Sequence, residues 1–314
     1  MNDKLHNYMI NNILKIIFLF LFLSCANDNT TASDNISDQS LFGIQGNLNI
    51  ITWNIENFPK EDELTIDYLV ETINLMELDV IALQEIRNTD SFNQLVNKLG
   101  DSWVGYRAGN GNYQELSYLI NTERINYEQP YTILDQEEYY FAYRAPYVLE
   151  FSYNNQNFIL INVHYKCCGD GNLNLNDGSD EEFRRLTSST YLENYITTNF
   201  DSDNVIILGD FNDELTDSYN NNIFNVFTDN PDKYRFTDIE MAEQSDPWQY
   251  WSFPNWPSHL DHILISNELF DDFNNSNSIS NTILIDGELD NGWQEYDFYL
   301  SDHRPVGISL EINP

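Results

Sequence analysis

Cysteine is almost absent from this chain: three occur in 314 residues, at Cys25, Cys167 and Cys168. Two of them are neighbours and cannot staple distant segments, so no disulfide framework holds the fold together. For that adjacent pair the sequence leaves two readings. One is a strained vicinal disulfide in an oxidising compartment; the other is a pair of small buried thiols that pack or lock a turn near His164. Basic residues are scarce as well. Lys and Arg total 14 against 51 for Asp and Glu, a formal charge of −37. Proteins that retain long polyanions by counterion release need the opposite sign. Tight nucleic-acid binding is therefore excluded, and the acidity reads as a matter of solubility and habitat. The apolar octet Ile16–Leu23 falls well short of the roughly 20 residues needed to span a bilayer. No internal repeat is visible.

What is present begins with that octet. It follows a segment carrying Lys4 and Lys15 and precedes Ser24-Cys25, the order of a secretory signal with a small residue before its cleavage point. Residues 1–24 are expected to be a signal peptide. Leu23-Ser24-Cys25 resembles a bacterial lipoprotein box, which implies a lipidated Cys25, with 25–45, rich in Asn, Asp, Ser and Thr, as a flexible tether. The expectation is an exported protein, an outer-membrane or periplasmic lipoprotein of a bacterium or otherwise a secreted one. The remainder, 46–314, is expected to be one domain and monomeric. Its polar motifs run from Asn54 to His303, so a split would cut them apart, and 41% hydrophobic with 14% aromatic residues supplies a core.

Short apolar runs punctuate that domain, at Leu48–Thr52, Val80–Leu83, Phe158–Val163, Val205–Leu208, Ile263–Ile265 and Val306–Ile312. They read as buried strands. Polar residues stand at their ends: Asn54, Gln84-Glu85-Ile86-Arg87, His164, Gly209-Asp210-Phe211-Asn212, Asp261-His262 and Ser301-Asp302-His303. Side chains alternate faces along a strand, so Asp210 and Asn212 point the same way, while Gly209 permits close backbone approach. The same alternation turns His262 away from Asp261, and His262 reads as a surface residue. Carboxylates, amides and imidazoles gathered at one rim make a hard-cation site with acid–base groups beside it.

On these motifs the chain resembles the metal-dependent endonuclease/exonuclease/phosphatase superfamily, to which deoxyribonuclease I belongs, from about Leu48 to Ile312. The resemblance implies an α/β (α+β) fold, a four-layered α/β sandwich of two packed mixed β-sheets flanked by helices. It implies phosphodiester hydrolysis with magnesium or manganese held by Glu85, Asn54 and Asp302. Asp210 and Asn212 would orient water and phosphate, His303 would be backed by Asp261, and His164 would stand across the scissile phosphate with Glu115 behind it. Arg144, in Tyr143-Arg144-Ala145-Pro146, resembles the family's phosphate-facing arginine, although the nucleases usually carry Glu where Ala145 stands. Arg87 and Tyr113 stand where the deoxyribonuclease branch contacts a groove and stacks a base. The resemblance thus implies a deoxyribonuclease-like endonuclease, with nucleic acid as the expected substrate, bound weakly because of the charge.

Two other segments carry expectations. Gly169 to Gly178 offers oxygen donors at alternate positions. It reads either as a structural calcium loop, without the sixth-position glycine of an EF-hand, or as a solvated loop. Ser179 is expected to cap the helix that follows, with Glu182 three residues later. The aromatic stretch Trp248 to Pro257 supports an alternative on the same scaffold, a lipid phosphodiesterase or phosphatase of sphingomyelinase or inositol-phosphatase type whose rim touches membrane. A catalytically silent binding module is the third reading, and the full set of site residues argues against it.

Overall fold

The structure is a computed structural model, and it describes residues 40–109, 113–244 and 247–312. The expected signal peptide, Cys25 and most of the expected tether lie outside the described residues. Among the described residues no helix is long and apolar enough to cross a membrane.

The apolar runs are strands of two mixed sheets. The first sheet contains β1 (Leu48–Phe58), β2 (Val80–Ile86), β3 (Trp103–Arg107), β4 (Glu115–Asn121), β12 (Ile279–Thr282) and β13 (Val306–Leu310), in the order β12-β13-β1-β2-β4-β3. The second contains β5 (Asn126–Tyr127), β7 (Tyr147–Tyr153), β8 (Gln156–His164), β9 (Asn204–Asp210), β10 (Tyr234–Phe236) and β11 (Asp261–Ser266). Its order is β10-β11-β9-β8-β7-β5, with β6 (Tyr131–Thr132) also pairing β7. Parallel neighbours occur at β1–β2 and β8–β9.

Alternation along each strand sorts side chains into layers. Leu48, Ile50, Val80 and Ala82 meet Leu160, Ile206, Leu208 and Ile263 between the sheets. Their neighbours Ile51, Trp53, Ile81 and Leu83 face outward, under α1 (Glu63–Asn74) and α2 (Thr89–Leu99). Helix α1 presents Ile66, Leu69 and Ile73, and α2 presents Phe92, Leu95 and Leu99, the spacing of one helical face. Asn88 caps α2 by accepting from Ser91 N at 3.0 Å. On the other outer surface, α3 (Glu181–Asn199) lays Leu192 and Ile196 over Ile161, Val205 and Ile207. The result is the expected α/β sandwich of four layers.

Two local expectations are corrected. Residues 40–45 belong to the domain and not to the tether: Leu41 N donates to Leu75 O and Glu77 N to Phe42 O, both at 2.9 Å. Phe42 is buried in the core under α1. A large aromatic ring with a place to pack outweighs the polar composition around it. Helix α3 is capped by Asp180, which accepts from Phe183 N at 2.8 Å, and not by Ser179. Ser179 instead closes a turn on Asp177.

Candidate active site

Strand register builds half of the site. At the carboxyl end of β9, Asp210 stands opposite His164 of β8 on one side and Asp261 of β11 on the other. Residues in register project to the same face, so these three side chains form one row. Gly209 makes the row possible: its φ is +151°, and a Cβ there would overlap the carbonyl oxygen of Val163 on the adjacent strand. The second sheet's row is met from the first sheet by Asn54 on β1 and Glu85 on β2. Glu85 sits at an irregularity in the β2–β4 pairing with φ +65°. A left-handed φ is strained for a carboxylate-bearing residue, and here it turns the side chain into the site. Glu85 Oε2 accepts from Asn57 N at 2.8 Å, and Asn54 Nδ2 donates to Asp210 Oδ2 at 3.0 Å and towards Glu85 Oε1 at 3.4 Å.

The segment Ser301–His303, between α4 (Trp293–Tyr299) and β13, completes the ring of residues. Ser301 Oγ donates to Asn54 O at 2.6 Å and accepts from His303 N at 2.9 Å, which pins Asp302 and His303 beside β1. His303 Nδ1 lies 2.7 Å from Asp261 Oδ2, and its Nε2 lies 3.9 Å from Asp210 Oδ2. Phe253 covers the imidazole at a ring separation of 4.7 Å. His164 Nε2 approaches Asp210 Oδ2 at 3.3 Å and Glu85 Oε1 at 4.0 Å. Asn212, at φ +54°, turns back so that its N donates to Asp210 Oδ1 at 2.9 Å.

Charge is distributed unevenly over this floor. Burial presses the pKa of His303 down, but Asp261, Asp210 and Asp302 raise it to about 10, so the ring is an imidazolium at neutral pH. His164 is pushed the other way, well below 6.5, by burial and then by Arg144 and His303. Its neutral imidazole keeps Nδ1 buried, with no hydrogen-bond partner among the described residues. Burial raises Asp210 to about 7 and Asp302 to about 6. Carboxylates held in this way are short of positive charge. Glu85 and Asp302 carry the carboxylate oxygens that suit a hard divalent cation, and Asp302 feels the Glu85 charge, while the Asn54 amide turns Nδ2 towards Glu85 and Asp210 and its Oδ1 accepts from Glu56 N at 3.1 Å. Ligand-type atoms of Asp210, Asp261 and His303 gather within 4.8 Å. So do those of Asp238, His259 and His262.

The remaining predicted residues are arranged differently. Glu115 makes no hydrogen bond to His164 among the described residues. It lies opposite Ile86, with its carboxyl pKa raised by burial and lowered by Arg107 and Arg144. The short β2–β4 register, not the sequence order, decides which cations it meets. Arg144 is buried, and its guanidinium is taken up by Tyr165 O at 2.9 Å, Gln114 Oε1 at 3.1 Å and His164 O at 3.3 Å. Arg87 is exposed at the rim with Nη1 3.1 Å from Asn57 Oδ1, and Tyr113 is 52% exposed. Cys167 and Cys168 are exposed free thiols and not buried ones. In the Gly169–Gly178 loop and at the start of the helix after it, the side-chain oxygens of Asp170, Asn174, Asp177 and Asp180 accept from nearby backbone N–H groups. Those oxygens tie turns and a helix cap instead of converging on a point.

His262 does face away from Asp261, but it is buried among Phe211, Phe224 and Phe236. Its Nδ1 meets Asp238 Oδ2 at 2.6 Å and its Nε2 meets Asp213 O at 2.9 Å. Two acceptors on one ring call for two N–H donors, and Asp238 raises its pKa against the effect of burial. Beneath the site, Asn162 of β8 bridges the sheets: it accepts from Gln84 Nε2 at 2.8 Å and donates to Leu83 O at 3.0 Å. Neither role is marked in the sequence, because Asp238 and Asn162 lie far along the chain from their partners.

A family model for the endonuclease/exonuclease/phosphatase family matches residues 51–303. The chain belongs to this family. Several solved structures of the family's fold superpose on it. D. rerio TDP2, humanised by 14 mutations, has a TM-score of 0.60 at 16% identity, covering 85% of this chain and all of that one. The human Nocturnin catalytic domain, with bound sulfate, has 0.57 at 15%, covering 87% and 97%. An endonuclease/exonuclease/phosphatase protein from Bacteroides vulgatus has 0.55 at 13%, covering 85% and 99%. No curated protein sequence matches the chain. As a member of the endonuclease/exonuclease/phosphatase family it carries that family's two-sheet fold.

Proposed function

We propose that the protein is a metal-dependent phosphodiesterase whose substrate is nucleic acid. The observation that carries this reading is the row His164–Asp210–Asp261, closed by His303 on Asp261 at 2.7 Å and faced by Asn54, Glu85 and Asp302. Glu85, Asp302 and Asn54 would hold the ion. Magnesium or manganese supplies positive charge against the phosphodiester's anionic oxygens. Asp210, as a carboxylate, accepts a proton from the attacking water, and Asn212 beside it orients water and phosphate. His303, fixed as an imidazolium by Asp261, stabilises the negative charge that develops in the transition state. Neutral His164 donates a hydrogen bond from Nε2 to the same oxyanion region.

Support for nucleic acid comes from Arg87 and Tyr113 at the rim, and from D. rerio TDP2, which has been solved with a single-strand DNA product. With a charge of −37, this chain turns over such a substrate without retaining it. Export and a lipid anchor at Cys25 belong to the same proposal and rest on residues 1–25 alone. A second reading, a lipid phosphodiesterase, is favoured by the exposed rings of Trp256 (76%) and Phe298 (53%). Plasmid, RNA, sphingomyelin and phosphoinositide, each with magnesium and with chelator, separate the two. Chelator-sensitive fragmentation of plasmid or RNA is expected. Release of phosphocholine from vesicles without nucleic-acid cleavage would replace this reading with the second.

A further inference from the structure

Consecutive side chains on an extended backbone point to opposite faces, so adjacent cysteines ordinarily hold their sulfurs apart. Here Cys168 adopts φ +71°, and its Sγ lies 2.9 Å from that of Cys167. The turn that brings them together is built from outside the pair. Arg185 Nη1 donates to Lys166 O at 2.8 Å and to Cys168 O at 2.7 Å. Arg185 is itself buried, with Nε 2.7 Å from Asp213 Oδ2 and Nη2 3.1 Å from Glu182 Oε1. The next residue, Gly169, has φ +109° and a position where a Cβ would overlap the Glu182 carboxylate. The backbone is thus set before any bond forms, and both thiols are open to solvent.

We propose that Cys167 and Cys168 are a modification site, a vicinal dithiol that a small-molecule disulfide oxidises to an intrachain disulfide just beyond the strand carrying His164. The two thiols have an order of action. Lys166 Nζ lies 3.7 Å from Cys167 Sγ, which places an ammonium beside that sulfur and none beside the other. Cys168 donates its S–H to Cys167, and that hydrogen bond raises its own pKa. Cys167 thiolate attacks one sulfur of the oxidant, whose S–S bond breaks; a mixed disulfide forms and the first thiol leaves. Cys168, losing its proton, then attacks Cys167 Sγ and expels the second thiol. Two protein S–H groups are lost, one S–S bond is gained, and the oxidant is reduced to two thiols that carry the two protons.

The site is independent of the hydrolytic reading, and its test reads no hydrolysis. The full chain is incubated with oxidised glutathione, quenched with N-ethylmaleimide, digested with trypsin and weighed. The tryptic peptide that begins at Cys167 should be two hydrogens lighter than the reduced peptide and carry no maleimide. Cys168→Ser should instead accumulate a glutathione adduct on Cys167. Maleimide on both cysteines of the oxidised wild type would overturn the proposal. So would an equally persistent glutathione adduct in wild type and variant, or linkage of this peptide between two chains.

Discussion

Replacing Asp261 by Asn keeps the shape of the side chain and removes one charge from the base of the site. Burial opposes protonation of His303, yet Asp261, with Asp210 and Asp302, holds its pKa at about 10. The Asp261 contact is a 2.7 Å hydrogen bond between charged partners, a class worth about 1.5–3 kcal/mol. At about 1.4 kcal/mol per pH unit, its loss lowers the titration of His303 by about 1–2 units. The folded pKa lies above the unfolded value of about 6.5. The stability contributed by protonated His303 is therefore complete below about pH 6.5 and is lost as pH rises through the folded pKa. Asp261→Asn should unfold more easily than wild type by about 1.5–3 kcal/mol at pH 7, with a smaller difference above the folded pKa. Imidazole NMR titration of the metal-free protein reads the first quantity, and urea denaturation at two pH values reads the second. A folded variant whose His303 titrates where the wild type does would refute the role given to Asp261.

Gly209→Ala forces a Cβ into the Val163 carbonyl at φ +151° and should cost about 2–4 kcal/mol by denaturation, with loss of activity because β8 and β9 must separate. For Asp210 at about 7 and Asp302 at about 6, folding favours the protonated carboxyl. Their contribution to metal-free stability therefore falls as pH rises from their unfolded values through the folded ones. Magnesium should raise the melting temperature at pH 8 and have little effect at pH 5, and a pH-independent response would place the ion elsewhere. Arg87→Ala should slow plasmid cleavage more than hydrolysis of a small aryl phosphodiester, since Arg87 is exposed at the rim; equal losses would make it a structural residue.

Much of this was legible because strand ends are marked twice, by an apolar run and by the polar residue that closes it. Val205–Leu208 with Asp210, and Phe158–Val163 with His164, declare both the strand and the side chain at its tip. Contacts that depend on register across the sheets were not legible. Glu115 is placed by its pairing with Ile86, and His262 by Asp238, a partner that no spacing rule marks. Phe42 is hidden for a different reason, since Leu41, Phe42 and Ile44 make too short a run to show a period. Cys167 and Cys168 were open between two readings because one residue's φ decides whether adjacent sulfurs meet.

The central claim is that Asn54, Glu85, Asp210, Asp302 and the two histidines act as one metal-dependent site. Its most direct test is the rate of plasmid cleavage against magnesium concentration for wild type, Glu85→Gln and His303→Ala, with folding of each checked by circular dichroism. The account predicts a chelator-sensitive wild type, a Glu85→Gln variant that needs far more magnesium, and a His303→Ala variant slowed by orders of magnitude at every concentration. Cleavage that survives chelation, or that runs at the wild-type rate in both folded variants, would contradict it.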